Sequence, residues 1–77
     1  MSLNLHHLRV FAAVAEQGSF SRAAVALRLS QPAVSKTVQE LEREVALALF
    51  DRSGRSARLT DAGAALFARA REIFGVE

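Results

Sequence analysis

The stretch from residue 28 to residue 45 constrains this chain more than any other. It opens on a tight break, Arg28-Leu29, followed by Ser30, a residue type that caps helix starts by accepting from their unpaired N–H groups. Pro32 falls in the first turn that follows, where a missing N–H leaves no intrahelical bond unmade. A helix is then predicted over Gln31–Val45. At about 100° per residue, Val34, Val38, Leu41 and Val45 form a stripe within about 40°. Ser35, Lys36, Gln39 and Arg43 lie about 100–200° from Val34 on the same wheel. One face is therefore core, and the opposite face carries hydrogen-bonding and cationic groups with no carboxylate among them. Glu40, Glu42 and Glu44 cluster in the later half of the helix and flank that face.

Such a helix needs neighbours to cover its apolar stripe, and the chain supplies them. With 77 residues, 51% of them hydrophobic, it holds one small core and not two. A first helix is predicted over Leu5–Gln17, with Leu5, Leu8, Phe11, Ala12 and Ala15 at helical spacing. Gly18-Ser19 closes it, glycine supplying the left-handed conformation common at helix ends. Ser21 is expected to cap a short second helix, 22–27, that buries Ala24 and Leu27. Beyond the third helix, Ser53-Gly54 is a turn signal between two short extended arms, which predicts a small β-hairpin. Thr60 caps a fourth helix from Asp61 into the last residues, with Asp61 near the positive end of the helix.

Several function classes drop out. With no cysteine there is no disulfide framework, zinc–thiolate site or thiol nucleophile. Charges interrupt every hydrophobic stretch short of a membrane span, and the N-terminus lacks a basic segment followed by an apolar one, so a cytoplasmic protein is expected. His6 and His7 are adjacent, so on a helix they point in different directions and make a poor metal pair. No Ser/His/Asp grouping, Gly-rich phosphate loop or carboxylate pair is evident, so neither an enzyme nor a cofactor is expected. A core of this size is marginal alone, and a partner subunit or further residues are anticipated.

The net charge of +2 hides a pattern. Residues 17–39 carry Arg22, Arg28 and Lys36 and no acid; residues 40–51 carry Glu40, Glu42, Glu44 and Asp51 against Arg43; residues 52–58 carry Arg52, Arg55 and Arg58 and no acid. Lys36 is the sole lysine, and a guanidinium forks onto phosphate and guanine where an ammonium acts as a point charge. A short helix, a tight turn and a second helix with an uncharged polar start form a helix-turn-helix, which sets that start in the major groove of DNA. Ala24 is small where the helices cross, and Leu27, Leu29, Val34 and Val38 are the apolar residues that fix the angle. A basic hairpin directly afterwards makes it a winged helix-turn-helix, a mainly α fold with a three-helix core, a small wing and a following helix.

The chain also resembles a known family. Leu8-Arg9-Val10-Phe11, Gly18-Ser19-Phe20-Ser21-Arg22-Ala23-Ala24 and Leu29-Ser30-Gln31-Pro32-Ala33-Val34-Ser35 look like the N-terminal domain of LysR-type transcriptional regulators. So do Leu41-Glu42, Leu49-Phe50-Asp51-Arg52 and Leu59-Thr60-Asp61-Ala62-Gly63, in the family's order and spacing. The resemblance implies a dimeric regulator that binds double-stranded DNA at an interrupted inverted repeat. It divides the chain into a winged DNA-binding domain, 1–59, and the start of a linker or dimerisation helix, 60–77, with a C-terminal domain that binds a small-molecule effector lying outside these residues. Where the family commonly has Gly, this chain has Ala46 after the third helix and Arg28 at the helix-turn-helix break. A positive φ at Arg28 would carry strain of about 1–2 kcal/mol.

With that resemblance, Gln31 is the first choice for base readout, because its amide pairs bidentately with adenine N6/N7. Ser35 and Lys36, one turn on, are the next candidates, followed by Gln39; Pro32 is placed to touch a thymine methyl, though helix initiation explains it already. Ser30 is read first as a cap and second as a phosphate contact. Ser21 and Arg22 are expected to hold a phosphate at the start of the second helix, and Arg52, Arg55 and Arg58 on the wing to take phosphate or minor-groove contacts, one of them in competition with Asp51 or Glu44. The last helix repeats apolar residues seven apart, Leu66 with Ile73 and Phe67 with Phe74; with Ala70 they are expected to form a seam between two copies, packing on the same chain being the alternative. A helical protein-interaction module that no longer reads DNA, and another winged-helix regulator family, remain open at this level.

Overall fold

In a computed structural model, described over residues 4–51 and 56–75, the elements follow in the order α1 (Leu5–Gln17), α2 (Phe20–Leu27), α3 (Gln31–Val45), β1 (Phe50–Asp51), β2 (Arg58–Leu59) and α4 (Asp61–Phe74). Each helix start is closed by a side chain. Asn4 Oδ1 accepts from His6 N at 2.8 Å, Ser30 Oγ from Ala33 N at 3.2 Å and Thr60 Oγ1 from Gly63 N at 3.0 Å. The second helix departs from expectation. Ser19, not Ser21, is its cap, accepting from Arg22 N at 3.1 Å, so α2 starts at Phe20 and Ser21 lies within its first turn. The reason lies in the turn before it. Left-handed Gly18 (φ 67°) ends α1, and Ser19 is at once extended (φ −162°), the backbone an N-cap requires.

Two helices end on left-handed residues that are not glycine: Arg28 (φ 59°) after α2 and Ala46 (φ 57°) after α3. Leu29 N then donates to Ala24 O at 2.9 Å, closing the end of α2 and turning the chain toward α3.

The core gathers Leu8, Val10, Phe11 and Val14 of α1, Ala23 and Ala24 of α2, Val34, Val38 and Leu41 of α3, Leu49, Phe50, and Ala70 of α4. Phe11 sits at its centre, with ring centroids 5.4 Å from Phe50 and 6.5 Å from Phe67. Two apolar residues expected inside are not. Leu5 is 61% exposed, because Val10 and Val14 turn the buried stripe away from the first turn of α1, and Leu29, in the break between helices, is 37% exposed. The hairpin arms pair antiparallel, Phe50 opposite Leu59 and Asp51 opposite Arg58; the turn expected at Ser53-Gly54 lies outside the described residues.

The fourth helix packs on the same core. Its first turn comes so close to the chain before β1 that a Cβ on Gly63 would collide with the Leu49 carbonyl oxygen. Ala70, expected on a seam between copies, is buried in its own chain, and Leu66, Phe67 and Phe74 lie half-buried against the core, so that Ile73 alone of the five stands exposed. The spacing of seven was real, but α4 carries two apolar strips, and one of them closes its own domain. Arg9 lies over the Phe74 ring at 4.5 Å and Arg71 over Phe67 at 5.6 Å, so two arginines remote from the basic segments cover aromatic faces.

Candidate nucleic-acid interface

The α2–turn–α3 unit presents the polar face of α3 outward. Gln31, Pro32, Lys36 and Gln39 are exposed and Ser35 is half-buried, while Val34 and Val38 on the opposite side have no exposure at all. The start of the helix is therefore the part both polar and reachable. Ser30 is engaged as the cap of α3, as expected, and stands exposed beside Gln31. Ser21 and Arg22 lie exposed in the first turn of α2, where the helix dipole favours an anion; the Ser21 hydroxyl lies 3.0 Å from that of Ser19. Arg58 is exposed on β2, with Asp51 as its cross-strand neighbour. Arg52 and Arg55 fall outside the described residues.

The acidic block between the basic segments is turned to internal work. His7 of α1 stands between two carboxylates of α3, its Nε2 3.4 Å from Glu40 Oε1 and its Nδ1 3.1 Å from Glu44 Oε1. Glu44, one of the partners considered for a wing arginine, thus faces α1 instead. Glu42 reaches the other way: its Oε2 accepts from Leu49 N at 2.7 Å and from Phe50 N at 3.3 Å. The three acids brace α3 from its two flanks and leave the face around Ser35, Lys36 and Gln39 without a carboxylate. That is the field a polyanion requires.

Sequence reasoning missed the cap at Ser19 and the roles of His7 and Glu42. The available signal for Glu42 was its place about 80° from Val34 on the helical wheel, at the edge of the apolar stripe rather than opposite it. Nothing in the sequence marks His7, because its partners come from another helix. Among the described residues, no group of three or more His, Cys, Asp or Glu could hold a metal ion, and no helix is long and apolar enough to cross a membrane.

Comparison with known proteins bears directly on this arrangement. The family model described as bacterial regulatory helix-turn-helix protein, lysR family, matches residues 5–64. An uncharacterized HTH-type transcriptional regulator of Azotobacter vinelandii is 53% identical over 74 residues, 96% of this chain and 51% of the relative. The RuBisCO operon transcriptional regulator of Allochromatium vinosum is 51% identical over 73 residues, 95% of this chain and 24% of the relative. The chain thus spans about half the length of the first relative and about a quarter of the second. Among solved structures, the BenM DNA-binding domain in complex with catB site 1 DNA superposes with a TM-score of 0.91 at 36% identity, covering 95% of this chain and 81% of that one. The CbnR DNA-binding domain in complex with DNA gives a TM-score of 0.88 at 38% identity, covering 96% and 85%.

Proposed function

The chain belongs to the lysR family of bacterial regulatory helix-turn-helix proteins and is a DNA-binding domain of that family, and from this premise we propose which of its residues read DNA and which hold it. The observation that carries the reading is the exposed, acid-free polar face at the start of α3. Gln31 reads a base edge in the major groove, Ser35 and Lys36 contact bases or phosphate one turn on, and Gln39 and Pro32 border them. Ser30 stands where a phosphate would meet the helix start. Ser21 and Arg22 hold a phosphate at the start of α2, and Arg52, Arg55 and Arg58 anchor the wing to the backbone or minor groove. These anchors position the protein and carry little sequence information.

Two copies bind an interrupted inverted repeat, joined through the outward strip of α4. Ile73 is 58% exposed, and Leu66 borders a groove with Val45, Leu47, Leu49, Ala62 and Ala65, apolar except for Arg69. These two are the seam residues we retain, with Phe67 and Phe74 supporting them from the core side. The domain acts in the cytoplasm, and the response to a small-molecule effector belongs to parts of the longer regulators that this chain does not span.

Selection of bound sequences from random DNA supplies the site, and fluorescence anisotropy then tests the roles. Gln31→Ala is expected to weaken binding to the selected site by about tenfold to a hundredfold, with little change on random duplex. Arg58→Ala is expected to weaken both alike and to lower the salt-dependence slope by about one. Equal losses on both duplexes for Gln31→Ala would remove it from base readout.

A further inference from the structure

The connection between the reading helix and the wing is short and unusual. It leaves α3 through left-handed Ala46, passes exposed Leu47 and Ala48, and enters β1 at Phe50, whose ring is 5.4 Å from both Phe11 and Phe20. The far arm has its own ties, Ala57 N to Gly18 O at 3.2 Å and Thr60 N to Leu49 O at 3.0 Å. The near arm is tied by a side chain of α3 itself. One carboxylate oxygen of Glu42 receives the N–H groups of Leu49 and Phe50, two residues whose side chains are almost wholly buried. Bonds to an ionised acceptor are about twice as strong as neutral ones and stiffer in geometry.

We propose that Glu42 is a positioning residue for DNA binding: it sets the base of the wing, β1 and its partner β2, at a fixed distance and angle from the reading face of α3, so that Arg58 and the start of α3 meet the duplex together. Gln31, Ser35, Lys36 and Gln39 sit on the same helix as Glu42, and Asp51 lies on the strand it holds, paired across the hairpin with Arg58. A shift of the recognition helix therefore carries the wing with it. The proposal rests on the reading of the wing as a phosphate anchor. It assigns a function in binding to a carboxylate whose charge, by itself, opposes binding.

That conflict between charge and geometry supplies the test. Glu42→Asp keeps the charge and shortens the reach by one methylene, whereas Glu42→Gln removes the charge and keeps both length and an acceptor oxygen. Anisotropy on a labelled random duplex at two salt concentrations is expected to show Glu42→Asp about tenfold weaker, with the slope lowered by about one, and Glu42→Gln less weakened than Glu42→Asp, because it keeps an acceptor at the right reach. In the Glu42→Asp background, Arg58→Ala is expected to cost nothing further, since the wing is already displaced. Amide exchange of Glu42→Asp is expected to accelerate at Leu49 and Phe50 more than within α1 to α3, which a general loss of stability would not do. Unchanged relative protection at Leu49 and Phe50, or full additivity of Arg58→Ala with Glu42→Asp, overturns the proposal. If Arg58→Ala alone leaves the slope untouched, the wing-anchor reading fails, and the exchange result decides the positioning role without it.

Discussion

The third and fourth helices are built alike and turn different surfaces outward. Each starts at a hydroxyl cap, Ser30 or Thr60, ends at a left-handed residue, Ala46 or Gly75, and gives one strip to the same core. Their outer strips differ. On α3 it is polar and cationic, Gln31, Ser35, Lys36 and Gln39, with the neighbouring acids turned away to His7 and to the Leu49–Phe50 backbone. On α4 it is mainly apolar, with exposed Ile73 and half-buried Ala62 and Leu66 beside the single cation Arg69. A polar face exchanges water for base edges and phosphate at little net cost and releases counterions, whereas an apolar face gains only by being covered. In a domain too small to bury all its helices, the outer strip of each helix selects the class of partner.

The comparison breaks most easily at the inner side of α4. Gly63→Ala is expected to lower unfolding stability by about 3 kcal/mol in denaturant titration, because the added Cβ meets a backbone carbonyl that no rotamer can move. An unchanged midpoint would mean that α4 does not close on the chain before β1 as described. On its outer side, Ile73→Asp is expected to leave the melting transition in place and to turn a dimer into a monomer in sedimentation. Affinity for an inverted repeat should then fall about a hundredfold as the second half-site is lost. A dimer that survives this change would assign the seam elsewhere. The smallest expected effect concerns the end of α3. Ala46→Gly relieves a left-handed alanine and is expected to raise stability by about 1 kcal/mol without altering DNA affinity, read by melting and anisotropy on one preparation. Loss of affinity there would extend the binding surface beyond the start of α3.

How much of this was legible in the sequence differs between the same two helices. On α3 the cap, the proline and the wheel of Val34, Val38, Leu41 and Val45 are all local signals, and the observed bounds and faces agree with them. On α4 the repeat of seven was equally plain, yet it did not tell which strip stays inside; Ala70 went to the core while Ile73 stayed out. Ser19 and Ser21 are alike as capping residues, and only the geometry of the Gly18 turn chose between them. Among the acids, spacing could separate Glu42 from its neighbours by angle, but not supply the N–H groups it holds.

The amino-acid sequence by itself determined where the helices lie, which face of α3 is apolar and where positive charge gathers, because caps, periodicity and charge blocks act over a few residues. The tertiary structure alone decided that Glu40 and Glu44 serve His7 and Glu42 the root of the wing, and that Ala70, Phe67 and Phe74 of α4 belong to its own domain. Those outcomes depend on contacts between different elements, and the pattern within one helix does not say what another brings to meet it.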